Sequence, residues 1–268
     1  MVEITEIDDP RISFYRSLRY TPPSHIEANV FIAEGEKVVL RLLRSPLKIH
    51  SIFAILDFYQ TYIDLINFKM VPEDFRYYAE KSLMEKIVGF HLHSGIMAIG
   101  FKPQNANIDE LSGNIVALNR INNSENVGQI SRICRAFAVN SLLVDEKSTS
   151  PFLRRAVRVS MGNIFDLKVR ETTNILEDIA ELKKRDFSII SCEVCPSSIN
   201  IYDFSFPEKF VIIFGNEHYG ISPEILAISD TIVSIPIQKE VESLNVAIAT
   251  AIVLNEFNRK KRYRNVAN

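Results

Sequence analysis

The sequence predicts an α/β protein in two parts, the second built on a parallel sheet. Short apolar runs alternate with amphipathic segments along the chain, which is the pattern of strands and covering helices. Strands such as residues 210–214 are apolar without interruption, as parallel strands buried on both faces are. The chain has 268 residues, 47% hydrophobic and 24% charged, enough for one large or two ordinary cores and unlike a disordered chain.

In chain order, "NVFIAEG" (29–35) reads as a strand closing at Gly35, and "EKVVLRLLRS" as a helix with Val38, Val39, Leu42 and Leu43 on one face. "HSIFAIL" reads as a strand, "DFRYYAEKSLMEKIVGF" as largely helical, and "SGIMAIGF" as a strand. The polar stretch 102–114 is the candidate linker, dividing a first domain (1–105) from a second (106–268). There "IVALNRI" is a strand, "GQISRICRAFAV" a helix, "SLLVD" a strand, and "SPFLRRAVRVS" and "ILEDIAELKKRD" helices. The strands "FSIISCEV", "KFVIIFG" and "TIVSIPI" follow, and an apolar helix ends the chain.

A net charge of −2, from 31 basic and 33 acidic side chains, means that any nucleic-acid contact rests on local basic patches. Three cysteines without an apolar leader at the acidic start fit a reducing cytoplasm. The longest apolar run, residues 246–254, is far shorter than the roughly 20 residues that cross a bilayer.

Three polar turns follow strands in the second half. In "NNSENVGQISR" (122–132), Asn126 and Gly128 are expected in a turn, and Arg132 early on the helix that follows, at an anion-favouring mouth. An ordinary strand–helix turn with a solvated Arg fits the same residues. In "FGNEHYGIS" (214–222), Gly215 and Gly220 are not spaced as a dinucleotide or phosphate loop, and Glu217 sits where open α/β sheets place ligands. The third turn leads to "SLNVAIATAIVL", where Ser243 is a plausible N-cap of the last helix. Asn245, placed just inside that helix, then needs a polar neighbour.

Together, N-x-G-x-x-x-R (126–132), G-N-E-x-x-G-I-S (215–222) and I-P-x(6)-S-L-N-V (235–246) resemble the three motifs of the SpoU/TrmH branch of the SPOUT methyltransferases. The stretch "RRAVRVSMGNIFDLKV", with Ser160 and Gly162, is similar to the family segment between the first two motifs, and "IAEGEKVVLRLL" to the recognition domain of many members. The resemblance implies a SPOUT-type α/β fold with a C-terminal trefoil knot, behind a small α/β substrate-recognition domain. It implies transfer of a methyl group from S-adenosyl-L-methionine to a ribose 2′-hydroxyl of structured RNA, rRNA or tRNA, without a metal. Gly215, Ile235, Ile237 and Leu244 would hold the cofactor. Arg132 would stabilise the attacking oxygen, with Asn126, Glu217, Ser243 and Asn245 shaping the pocket, each site being built across a homodimer. Arg11, Arg16 and Arg19 are the candidate RNA contacts of the first domain, and a basic cluster lies at residues 259–264.

The chain departs from the family pattern at Asn123-Ser124, where Asp-Pro is usual, and at Ala138 and Lys239, where Gly is common. Lys239 motivates the alternative of an RNA-binding protein that keeps the fold without the cofactor. Cys192 and Cys195 form a single C-x-x-C in an expected strand, better read as buried thiols than as zinc ligands. His91 and His93 are expected at a strand edge, and ordinary surface or core histidines account for them.

Overall fold

The structure, a computed structural model, describes residues 1–16, 18, 21–238 and 240–267, with no side chains beyond residue 261. Arg19 and Lys239, and the side chains of Arg262, Tyr263 and Arg264, lie outside the described residues. The chain divides into two compact units, residues 1–104 with 152–165, and residues 105–151 with 166–268.

In the first unit β1 (Val2–Glu3), β2 (Val30–Glu34), β3 (Ile49–Ala54), β4 (Arg76–Tyr78) and β5 (Ile96–Phe101) form a mixed sheet ordered β1-β4-β3-β5-β2. Its helices are α1 (Pro23–Glu27), α2 (Glu36–Arg44), α3 (Leu56–Phe68) and α4 (Lys81–Val88). α2 forms as its spacing predicts: Val38, Val39, Leu42 and Leu43 are all buried on one stripe. The start of "DFRYYAEK" is a correction, because residues 76–78 are strand and the helix begins only at Lys81. Pairing with β3 and β1 overrides local helical character there. Arg76 is buried in that strand and is satisfied by the Val71 carbonyl at 2.7 Å and Asn67 Oδ1 at 2.8 Å. His91 and His93 stand between α4 and β5 rather than on a strand edge, and His91 Nδ1 lies 2.8 Å from Glu85 Oε1.

In the second unit β6 (Ile115–Asn119), β7 (Ser141–Val144), β8 (Lys168–Glu171), β9 (Ser188–Cys192), β10 (Ile199–Asn200), β11 (Phe210–Gly215) and β12 (Thr231–Ser234) are all parallel. Their order is β10-β12-β9-β11-β6-β7-β8. The helices are α5 (Ser124–Ala136), α7 (Ile175–Lys184), α8 (Pro223–Ile228) and α9 (Val246–Ala267), while α6 (Arg154–Val159) lies in the segment that packs with the first unit, on β2. Ile115, Ala117, Val211, Ile213 and Ile189 meet α7 and α8 through Ile179, Leu182 and Ile225. α9 packs against α5 and β11, with Phe257 edge-on to Phe210. Full burial of each such side chain is worth roughly 1.5–3 kcal/mol.

Two helix starts differ from expectation. α5 begins at Ser124, so Asn126 and Gly128 are helical rather than in a turn, and Arg132 lies in the third turn. Asn123 is the N-cap that starts the helix there, its side chain accepting the Glu125 amide at 2.8 Å. Ala138, just after α5, adopts φ +59°, a conformation that costs a non-glycine residue roughly 1 kcal/mol.

Candidate active site

β9, β11 and β6 are neighbours, and the parallel arrangement brings their C-terminal ends to one edge of the sheet, where ligands bind in open α/β folds. A cavity of about 500 Å³ opens there, lined by residues that follow β9, β11 and β12. Gly215, Ile235, Ile237 and Leu244 line it, as do Glu217 and Ser243.

The turn after β11 explains its two glycines. A Cβ on Gly215 would lie 2.4 Å from the Gly220 carbonyl carbon and 2.5 Å from the Ile221 nitrogen, so no side chain fits. Gly220 has φ +63°, and a Cβ there would lie 2.5 Å from Glu193 Oε2. Asn216 Oδ1 accepts the amides of His218 at 2.9 Å and Tyr219 at 3.2 Å, while its Nδ2 donates to the Arg120 carbonyl at 3.0 Å. The loop is thus pinned from inside and outside.

Three distant segments converge on Glu217. Its Oε1 accepts Asn126 Nδ2 at 2.6 Å, Asn245 Nδ2 at 3.1 Å and the Val246 amide at 3.4 Å. Asn245 Nδ2 also donates to Asn126 Oδ1 at 3.0 Å. The polar neighbour that Asn245 needs is therefore found, and its place is corrected. It precedes α9 as the N-cap, its Oδ1 accepting the amides of Ala247 at 2.9 Å and Ile248 at 3.3 Å. Ser243 is not the cap; it is an exposed loop residue on the cavity wall.

Arg132 does not join this cluster within one chain. Six residues separate it from Asn126, roughly 9 Å along the axis and about 240° around it. It is exposed on the α5 stripe that also carries Gln129 and Ala136, with no hydrogen bond or ion pair among the described residues. Arg11 is held by Asp9, Nε to Oδ1 at 2.9 Å, and Arg16 donates to the Asp9 carbonyl at 2.6 Å.

Sequence reading missed four residues that build the site. Glu193, on the cavity wall, accepts the Ile221 amide at 2.8 Å. Asn119 accepts the Ser222 amide at 2.8 Å and donates to Asp145 Oδ2 at 2.9 Å, and both are buried. With Asn216 they tie the ends of β6, β7 and β11 together. Their signal was a polar residue closing an apolar strand, as in "VALN" and "LLVD". Cys195 is a correction: β9 ends at Cys192, and Cys195 lies in the turn beyond it, half-buried. Cys192 lines the cavity, and burial pushes its thiol up to about 12, so it stays protonated at neutral pH. Among the described residues no cluster of His, Cys, Asp and Glu could hold a metal, and no helix is long and apolar enough to cross a membrane.

The SpoU rRNA Methylase family profile matches residues 113–255. An uncharacterized tRNA/rRNA methyltransferase of Mycobacterium bovis is 28% identical over 96% of this chain and 91% of its own length. The AdoMet-bound rRNA methyltransferase of Sinorhizobium meliloti shares the fold, with a TM-score of 0.83 at 22% identity, covering 96% of this chain and 97% of that one. An RNA 2′-O ribose methyltransferase does so with a TM-score of 0.77 at 20% identity, over 97% of this chain and 99% of that one. All three motifs of the site fall within the matched segment, and the chain belongs to the SpoU rRNA Methylase family of RNA methyltransferases.

Proposed function

We propose that this protein transfers a methyl group from S-adenosylmethionine to a ribose 2′-hydroxyl of rRNA or tRNA. It does so as a cytoplasmic homodimer, with a knotted second domain and a first domain that recognises the RNA. The observation that carries the reading is the convergence of Asn126, Glu217 and Asn245, one from each motif, beside the cavity.

The cavity suits the cofactor on its own terms. About 500 Å³ falls in the usual range for small-molecule sites. Gly215 leaves main chain exposed on one wall, and Ile235, Ile237 and Leu244 offer apolar surface for a flat ring. When bound, S-adenosylmethionine supplies an electrophilic methyl group on a sulfonium. Gly215, Ile235 and Leu244 hold it largely through main-chain groups, with Ile237 beside them. Glu217 and Asn245 fix the two loops that enclose it.

Arg132 stabilises the negative charge that develops on the ribose oxygen as its proton passes to solvent water. A guanidinium with a pKa above 12 serves as a positive charge rather than as a base. Its exposed, unpaired position supports a site completed by a second subunit, since within one chain it faces away from the Glu217 cluster. The exposed Ile248 and half-buried Ile252 are apolar surface on α9, the helix that packs against α5. Arg11 and Arg16 are the RNA contacts proposed for the first domain.

Calorimetry with S-adenosylmethionine and mapping of ribose methylation with and without the protein test the assignment. No binding at millimolar cofactor, or an unchanged map, overturns it. Arg132→Ala is expected to abolish methylation, at least a hundred-fold, while cofactor affinity stays within two-fold.

A further inference from the structure

The second motif carries an aromatic residue that the cofactor reading leaves unused. Tyr219 is 79% exposed, although its neighbours His218 and Gly220 both line the cavity. A tyrosine on a loose loop would mean little. This one sits on a turn closed by the Asn216–Gly220 bridge, with its own amide held by Asn216 Oδ1 at 3.2 Å. The same Asn216 is anchored to the Arg120 carbonyl, and Glu193 fills the space beneath Gly220. The turn thus presents a bare ring at a fixed place on the lip of the cavity.

A ring that belonged to the cofactor slot would be covered by the walls, and Tyr219 is not part of them. Its partner therefore arrives from outside. Tyrosine gives a flat apolar face with a wet hydroxyl, and unpaired nucleobases are flat, apolar on both faces and stack on such rings. We propose that Tyr219 is the platform on which a base of the incoming RNA stacks, placing its ribose over the cavity mouth. This rests on RNA being the substrate, as proposed above, and adds that the substrate enters with at least one base unpaired.

The chain has no tryptophan, so Tyr219→Trp introduces a single indole reporter. Single-stranded oligoadenylate should quench its emission, whereas an abasic ribose-phosphate oligomer of equal charge and S-adenosylmethionine alone should not. Tyr219→Ala should weaken oligoadenylate binding roughly ten-fold, about 1.4 kcal/mol, through loss of one stacked base, while Tyr219→Phe stays within two-fold. Oligoadenylate that binds without quenching, or abasic oligomer that quenches equally, overturns the stacking role and leaves the RNA reading intact. Quenching by S-adenosylmethionine alone reassigns the ring to the cofactor and overturns the role as well. Failure of the unmodified protein to bind oligoadenylate, total tRNA and rRNA overturns both.

Discussion

Asn245 does two jobs with one amide group, and they can be separated at that residue. Its oxygen caps α9 through two main-chain amides, and its nitrogen ties α9 to Asn126 and Glu217. Asn245→Ser keeps a capping oxygen and loses the donor. Asn245→Ala loses both and leaves Glu217 short of a partner. A cap is worth about 1 kcal/mol, and hydrogen bonds to a charged group about 1.5–3 kcal/mol. Asn245→Ala is therefore expected to cost roughly 2–4 kcal/mol and Asn245→Ser about 1 kcal/mol less, read as denaturation midpoints. Cofactor affinity should fall in both, since the Glu217 loop loses its shorter tie to α9 and keeps only the Val246 amide at 3.4 Å. A serine variant with normal affinity would show that the cap alone matters. Sequence exposed the oddity of Asn245 but misplaced the cap by two positions. Ser243 is an equally good capping residue by type, and only the backbone shows which of the two precedes the first helical turn.

At the scale of elements, α5 and α9 pack together, and we propose that their exposed residues form one face. Ile248 is 54% exposed on α9, and Arg132 lies on the exposed stripe of α5. If a second copy covers this face, Ile248→Glu places a charge in an apolar contact and should shift the protein to monomer in sedimentation while its thermal midpoint changes little. A monomeric variant should also lose methylation, because Arg132 then has no cavity to reach. A wild-type monomer that is fully active would remove the dimeric site. Elements of strong periodicity were legible: α2, α7 and β11 follow from apolar spacing alone. β4 was not, because three residues with no apolar alternation become strand through their neighbours. α3 was also missed, since Phe58, Tyr59 and Ile66 are its only buried residues and leave little stripe to read.

Across the molecule, two features set how it responds to conditions and to cutting. His25 is buried with Nε2 donating to the Phe14 carbonyl at 2.8 Å, and burial holds both it and His50 below the ordinary 6.5. The unfolded chain therefore binds more protons than the folded one. The stability these histidines contribute is full above about pH 6.5 and declines as acidification proceeds toward their lowered folded values. Thermal midpoints should fall between pH 7.5 and 5.5, less steeply in His25→Gln, and an unchanged slope would refute that origin.

The second feature is the return of residues 152–165 to the first unit. The sequence places the division near residue 105, where the polar stretch lies, but the later segment reads as one more helix of the second series because nothing in its spacing names its neighbour. In the structure Phe152 and Phe165 flank Phe31 at 5.6 and 5.2 Å, and buried Glu34 pairs with Arg154 and with Arg158, the latter at 3.1 Å. A fragment of residues 1–104 would therefore expose Phe31 and strip Glu34 of both its cations. It is expected to be poorly soluble or to melt well below the intact protein. Adding a peptide of residues 150–167 in trans, or replacing Glu34 by Gln, should recover part of the loss. A 1–104 fragment as stable as the first unit of the whole chain would show that the returning segment contributes nothing to that core.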